Sequence, residues 1–190
     1  MTLIPAFEIG VWNAWIFMVF IFLYITLTVQ IFKNDIGKKI AHCEEEKKLG
    51  NFVALLFLVL LVYSIFLPLK LGTAWFYTGL SIYLLGLIIC TIAVANVAAT
   101  PLGEPFTKGI YRYSRNALSL GMFLILLGVG VASASWLYLL LSAILTVITH
   151  FMVIIEERYC LETFGNAYRE YMNRTARWIG IPKSGSNKQP

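Results

Sequence analysis

Residues 117–155 read ALSLGMFLILLGVGVASASWLYLLLSAILTVITHFMVII, and this run decides the fold. A helix that crosses the hydrocarbon of a bilayer needs about 20 apolar residues. The run is about twice that length and contains no Asp, Glu, Lys or Arg. It has one natural break, at Ala132-Ser-Ala-Ser-Trp136, where small and hydroxyl residues interrupt the large apolar ones. The stretch therefore predicts a hairpin of two spanning helices, the first of them short. Further apolar runs lie upstream at 11–32, 52–69 and 74–99. Together these predict an all-α, polytopic membrane bundle of about five transmembrane helices, followed by an amphipathic cytosolic segment.

Composition agrees. The 190 residues are 59% hydrophobic and 13% charged, whereas a soluble domain carries about 25% charged residues. A chain this short cannot bury so much apolar surface within itself, so the bilayer is its expected solvent. The length predicts one membrane domain over 1–180, with the site in 96–180, and a flexible tail over 181–190 rich in Pro, Gly, Ser, Asn and Gln. The net charge of +5 does not point to nucleic acid, because basic residues in a membrane protein mark its cytoplasmic side. Cys43, Cys90 and Cys160 stand far apart with no CxxC, so neither a disulfide framework nor a metal site is expected. No basic residue precedes the first apolar run and no small-residue cleavage site follows it, so no cleavable signal peptide is expected.

The basic residues orient the spans. With the N-terminus outside, the loop after the first span holds Lys33, Lys38, Lys39, Lys47 and Lys48. The loop after the third holds Lys108, Arg112 and Arg115. The segment after the fifth holds Arg158, Arg169, Arg174, Arg177, Lys183 and Lys188. Lys70 alone falls outside, which predicts an N-out, C-in topology. Trp12, Trp15, Trp75 and Trp136 fall at the predicted outer ends, where amphipathic rings favour the interface. The loop at 33–50, with Glu44-Glu45-Glu46 beside Lys47-Lys48, reads as a solvated helical turn or a short interfacial helix.

Two polar clusters flank the hairpin on the same predicted face. The first follows Thr100-Pro-Leu-Gly-Glu-Pro-Phe-Thr-Lys-Gly109, whose prolines and glycines oppose a regular helix. It presents Tyr111, Arg112, Tyr113, Arg115 and Asn116. An arginine offers a planar fork of donors suited to a carboxylate or phosphate; Arg112 is also placed to anchor the fourth span at the headgroups. The second cluster extends the fifth span. His150, Ile154, Glu157 and Leu161 share one helical face, with Glu156 and Cys160 beside them. His150 lies inside a span, where an ionisable residue is a functional candidate, although a neighbouring helix can satisfy one neutral imidazole. The helix is expected to end at Phe164-Gly165. Tyr168, Tyr171 and Met172 then form an amphipathic segment leading to Arg174 and Arg177, with the two tyrosines read as interfacial anchors.

At these residues the chain resembles the integral-membrane methyltransferases of the isoprenylcysteine carboxyl methyltransferase and phospholipid N-methyltransferase superfamily. Their first motif runs G-P-Y-R-x-x-R-[HN]-P-x-Y-x-G; here it reads Gly109-Ile-Tyr-Arg-Tyr-Ser-Arg-Asn-Ala-Leu-Ser-Leu-Gly121. Their second is a glutamate pair followed by F-G-x-x-Y-x-x-Y and a basic residue; here it is Glu156-Glu157, Phe164-Gly165, Tyr168 and Tyr171, with Arg174 and Arg177 beyond. The resemblance covers roughly 96–180. Ala117 replaces the family proline, Ser119 the family tyrosine, and Ile110 follows the first glycine. Loss of the proline frees the backbone at the start of the fourth span. Loss of the tyrosine removes an aromatic wall.

The resemblance implies S-adenosyl-L-methionine as cofactor and a lipophilic substrate that enters from the bilayer among membrane lipids, with methyl transfer at the cytosolic face. It implies a cofactor site built from Tyr113, Arg115, Asn116, Ala117, Leu118, Gly121, His150, Glu156, Glu157 and Leu161. Arg115, Glu157 and Arg177 are the implied catalytic residues, and Arg174 and Arg177 the implied substrate anchors. An isoprenylcysteine carboxylate, a phospholipid amine or a related small molecule all suit such a site. The alternatives are a degenerate, non-catalytic binding or scaffold protein, and an enzyme like the sterol reductases, whose chains are normally much longer.

Overall fold

The computed structural model describes residues 10–32, 44–101 and 104–181. Among the described residues five α-helices follow one another: α1 Trp15–Phe32, α2 Glu44–Ser64, α3 Ala74–Ala99, α4 Ala117–Ala132 and α5 Trp136–Arg174. A single 3-10 turn, Gly109–Arg112, lies between α3 and α4. The described residues form no strand, only an isolated bridge between Asn13 and Pro68. The all-helical expectation therefore holds.

The hairpin breaks where the sequence breaks. α4 stops at Ala132 and α5 starts at Trp136. Ser133 and the positive φ of Ala134 (51°) turn the chain between them. Ser135 caps α5 by accepting a hydrogen bond from the Tyr138 amide at 3.3 Å. Thr73 caps α3 in the same way for Phe76. α3 has the expected limits, but two other spans differ from expectation. α1 begins at Trp15 rather than at 11, after a turn. α2 ends at Ser64 rather than at 69, because Pro68 forces the residue before it out of helical geometry. Residues 65–69 instead hook onto the start of α1: the Ala14 amide donates to the Leu67 carbonyl at 2.8 Å and Leu69 to Trp12 at 3.1 Å. Of the loop expected at 33–50, the charged 44–48 stretch opens α2. Residues 33–43, like the tail at 182–190, lie outside the described residues.

α3 and α4 are held by glycines. Gly79 and Gly86 on α3, and Gly121 and Gly128 on α4, are each seven residues apart, which puts each pair on one face of its helix. A Cβ at Gly128 would lie 2.6 Å from the Tyr83 amide nitrogen, and one at Gly86 2.8 Å from the Gly121 carbonyl oxygen. The backbones meet because nothing stands between them, as small residues permit in membrane helices. Gly130, two residues on, turns to the other side, where its missing Cβ makes room for Leu139 of α5. Tyrosine hydroxyls fasten the remaining elements. Tyr83 donates to the Phe17 carbonyl at 2.9 Å and Tyr138 to the Met18 sulfur at 3.3 Å, tying α3 and α5 to α1.

Among the described residues, α3 and α5 are long and apolar enough to cross a membrane. Only 28% and 22% of the most apolar windows of α3 and α5 are buried, so these are not core helices of a water-soluble protein. Their outer faces carry exposed Leu84, Leu85, Ile88, Leu140, Val147 and Phe151, a surface that hydrocarbon solvates and water does not. Three tryptophans gather at one end. The Leu69–Trp12 bond and the Lys70 amide bond to the Ala132 carbonyl at 3.1 Å bring Trp12, Trp75 and Trp136 to the same rim. The two polar clusters lie at the opposite end.

Candidate active site

The far end is organised around one carboxylate. Glu157 lies on the buried face of α5 with Val153 and is itself buried. Its Oε1 lies 3.3 Å from Arg115 Nη2 and accepts a hydrogen bond from Asn116 Nδ2, also at 3.3 Å. Its Oε2 accepts two from Arg177, from Nη2 at 2.8 Å and Nε at 3.0 Å. Residues 61 positions apart in the chain, Asn116 and Arg177, thus meet at a single buried acid. The Arg115 side chain is 8% exposed and that of Arg177 35%. The trio holds two guanidinium groups and one carboxylate, leaving one positive charge unmatched within it.

Each residue is placed for a local reason. The 3-10 turn begins at Gly109, whose φ of +63° suits glycine and whose missing Cβ leaves room for Asn96. The turn buries Tyr111 against Ala93, Val97 and Ala117 and leaves Arg112 and Tyr113 exposed. Ser114 then accepts the Asn116 amide at 3.2 Å, and Arg115 and Asn116 enter the site just before α4 starts. On α5, Gly165 (φ 56°, ψ −126°) breaks the helix, as its sequence position predicts, and a second helical piece runs on to Arg174. That piece buries Tyr168 and Tyr171 and exposes Arg169 and Glu170. The tyrosines are packed within the protein rather than set out as interfacial anchors. Tyr171 donates to the Tyr111 carbonyl at 2.6 Å and so fixes the second motif to the first. Burial raises the pKa of Tyr111, Tyr168 and Tyr171, and nearby Glu157 adds to the rise at the last two; all three remain protonated donors at neutral pH.

The chain after α5 doubles back as a strap over residues 175–181. The Arg115 amide donates to the Ala176 carbonyl at 3.1 Å and the Gly180 amide to Tyr113 at 3.0 Å. The Arg177 carbonyl accepts from Ser114 Oγ at 3.4 Å and from Asn116 Nδ2 at 3.3 Å. The sequence singled out Arg177, but not the strap that carries it, nor Trp178, whose ring stacks on His150 at 5.8 Å and 27°. The run Arg177-Trp178-Ile179, an aromatic and an isoleucine directly after the arginines, was the available signal.

Other expected site residues lie elsewhere. Arg174 is exposed and pairs with Glu170 at 3.6 Å, away from the cluster. Tyr113 is exposed, and its carbonyl rather than its ring is engaged. The Ala117 side chain is fully buried against the α3 side. Gly121 faces Cys90 Sγ, 2.6 Å from where its Cβ would be, so the close approach there is to α3. Leu118 is exposed, and Leu161 and Glu156 are half-buried beside the acid. A cavity of about 470 Å³, lined by Trp15, Met18, Leu61 and Ser64, opens at the tryptophan end and is too apolar and too distant to belong to this chemistry. No group of three or more metal-ligating side chains occurs among the described residues.

Arg115 Nε is buried and has no hydrogen-bond partner among the described residues. A buried unsatisfied guanidinium donor beside an unmatched positive charge suits an anionic ligand group, and a carboxylate such as that of S-adenosylmethionine fits it. Residues 74–167 match the family model described as phospholipid methyltransferase. This segment includes the first motif and Glu157, and the match is consistent with the membrane methyltransferase superfamily that the motifs resemble. The family implies methyl transfer to a lipid substrate and generally uses S-adenosylmethionine. No curated protein matches the chain.

Proposed function

We propose that the chain is an S-adenosylmethionine-dependent methyltransferase acting on a lipophilic acceptor at the cytosolic face of the membrane. The observation that carries this reading is Glu157, a single buried acid that joins Arg115 and Asn116 of the first motif to Arg177 of the strap. S-adenosylmethionine, when bound, supplies an activated methyl group on a sulfonium. The protein's part is to bind, align and exclude water, which are the demands of an in-line displacement.

The residues divide that work. Glu157 orients Arg115 and Arg177, since its oxygens already take their donors and those of Asn116. Arg115 Nε offers a buried hydrogen bond to the cofactor carboxylate. Arg177, less buried, offers its outer edge to the acceptor's anionic group. An acceptor carboxylate needs no general base. The five-span, N-out and C-in topology belongs to the same reading: it sets the cluster in the cytosol and the tryptophan rim outside, in keeping with the distribution of Lys and Arg.

Calorimetric titration of the detergent-purified protein with S-adenosylhomocysteine tests the proposal. Saturable one-to-one binding is expected, lost in Glu157→Ala and kept in Arg174→Ala. A folded wild-type protein that takes up no ligand at millimolar concentration refutes it.

A further inference from the structure

Two consecutive strap residues cover two points on one face of α5. Arg177 pairs with Glu157, and Trp178 stacks on His150. Seven residues separate His150 from Glu157, which places them about 20° apart around the helix and about 10.5 Å apart along it. The strap therefore lies along the site face, with the guanidinium reaching toward the polar cluster and the indole reaching deeper along the span. Next to this stacked pair in sequence, both α5 and the strap carry exposed apolar side chains. Val147 and Phe151 flank His150 on α5 and are more than half exposed. On the strap, Ile179 is 75% and Ile181 90% exposed. Two such isoleucines directly after an arginine and a tryptophan form the pattern of a segment seated at the headgroup–acyl boundary. Their apolar surface is continuous in character with the exposed face of α5. The strap lies beyond the segment matched by the family model, so no function is assigned to it by that match.

We propose that Trp178 is the membrane-side wall of the site, the surface on which the acyl or prenyl chain of a lipid lies when its polar end reaches Arg115 and Arg177, and that Ile179 and Ile181 seat the strap in the leaflet to hold that wall in place. Trp178 is then a specificity-determining residue for the apolar part of the acceptor. This inference rests on the membrane reading above, and its test does not depend on methyl transfer.

The probe is phosphatidylcholine brominated on the acyl chains near the carbonyl end. Trp12, Trp15, Trp75 and Trp136 are replaced by Phe, leaving Trp178 as the single fluorophore, and the protein is reconstituted in vesicles with and without the brominated lipid. Emission is expected to be roughly halved by the bromines, and quenching to fall clearly in Ile179→Ser/Ile181→Ser. Equal emission in both vesicles places Trp178 away from the acyl chains and overturns the proposal. A second measurement covers a substituted protein that does not fold: a nitroxide at Ile181→Cys should collide more with oxygen than with a water-soluble nickel chelate, and the reverse order overturns the proposal. S-adenosylhomocysteine titration of the same preparations separates the two readings. Binding without quenching leaves the methyltransferase and removes the wall; quenching without binding does the opposite.

Discussion

Replacing Glu157 by glutamine keeps the length of the side chain and removes its charge. Two guanidinium groups then lose the carboxylate that pairs them. Their costs differ because their exposure differs. Arg115 is 8% exposed and is held between α4 and α5, so it cannot follow solvent. Breaking a buried pair by removing one partner costs about 3–5 kcal/mol. Arg177 has the better geometry, with two contacts to one oxygen, but is 35% exposed. It can turn outward, and screening holds its share to about 1 kcal/mol or less. The destabilisation of Glu157→Gln is therefore expected to come mostly from Arg115. For a chain of this length about 2–4 °C accompanies each kcal/mol, so the melting temperature in detergent should fall by about 10 °C. A double-mutant cycle makes the attribution. Adding Arg115→Met to Glu157→Gln should restore most of the loss, whereas adding Arg177→Met should restore little. Thermal unfolding followed by tryptophan emission reads all six proteins, the single Arg115→Met and Arg177→Met variants included. A wild-type melting temperature for Glu157→Gln, or a larger rescue by Arg177→Met, refutes the reasoning.

Two further outcomes follow from packing. In Gly128→Ala the new Cβ meets the α3 backbone at Tyr83 and Gly79, neither of which can move aside, so unfolding should occur at least about 2 kcal/mol earlier; unchanged stability in a chemical or thermal melt would show that α3 and α4 do not touch there. Tyr171→Phe removes the 2.6 Å hydrogen bond to Tyr111 and leaves a buried carbonyl unpaired, which should lower stability by about 1–3 kcal/mol, with protease cleavage after Gly165 as the local readout.

How much of this the sequence shows depends on whether a feature is local. The limits of α3 and the break at 132–136 were legible because caps and small residues act on their own neighbours. The hook at 65–69 was not, because its hydrogen bonds are made to residues near 12–14; Pro68 was its only local trace. Gly128 and Gly130 sit too near each other in the sequence to share one face. They serve two faces, and the pairing that matters, Gly79 and Gly86 against Gly121 and Gly128, becomes visible only when the partner helix is known. Glu157, Arg115, Asn116 and Arg177 were named from the motifs, and the structure brings these four together. The strap was hidden because it has no period. It is held by backbone bonds to 113–116, which leave no mark on composition.

The charge count of the cluster bears on the departures at Ala117 and Ser119. A purely structural staple needs one acid and one base, and would satisfy both. Here a second guanidinium is added, one positive charge is left over within the trio, and Arg115 Nε is buried without an acceptor among the described residues. An unsatisfied buried donor costs about 1–3 kcal/mol, and native proteins keep few of them. A ligand that returns the missing acceptor accounts for its presence; a staple does not. Ala117 stands apart from this donor set, because its side chain is buried on the α3 side against Ala93, Val97 and Tyr111. Replacing a helix-start proline there changes how α4 begins while Arg115 and Asn116, immediately before it, keep their bonds to Glu157. Ser119 removes an aromatic ring but no charge and no donor from the cluster. The substitutions therefore bear on the shape of the site, and the groups that would recognise an anion are all present. This favours a retuned pocket over a lost one.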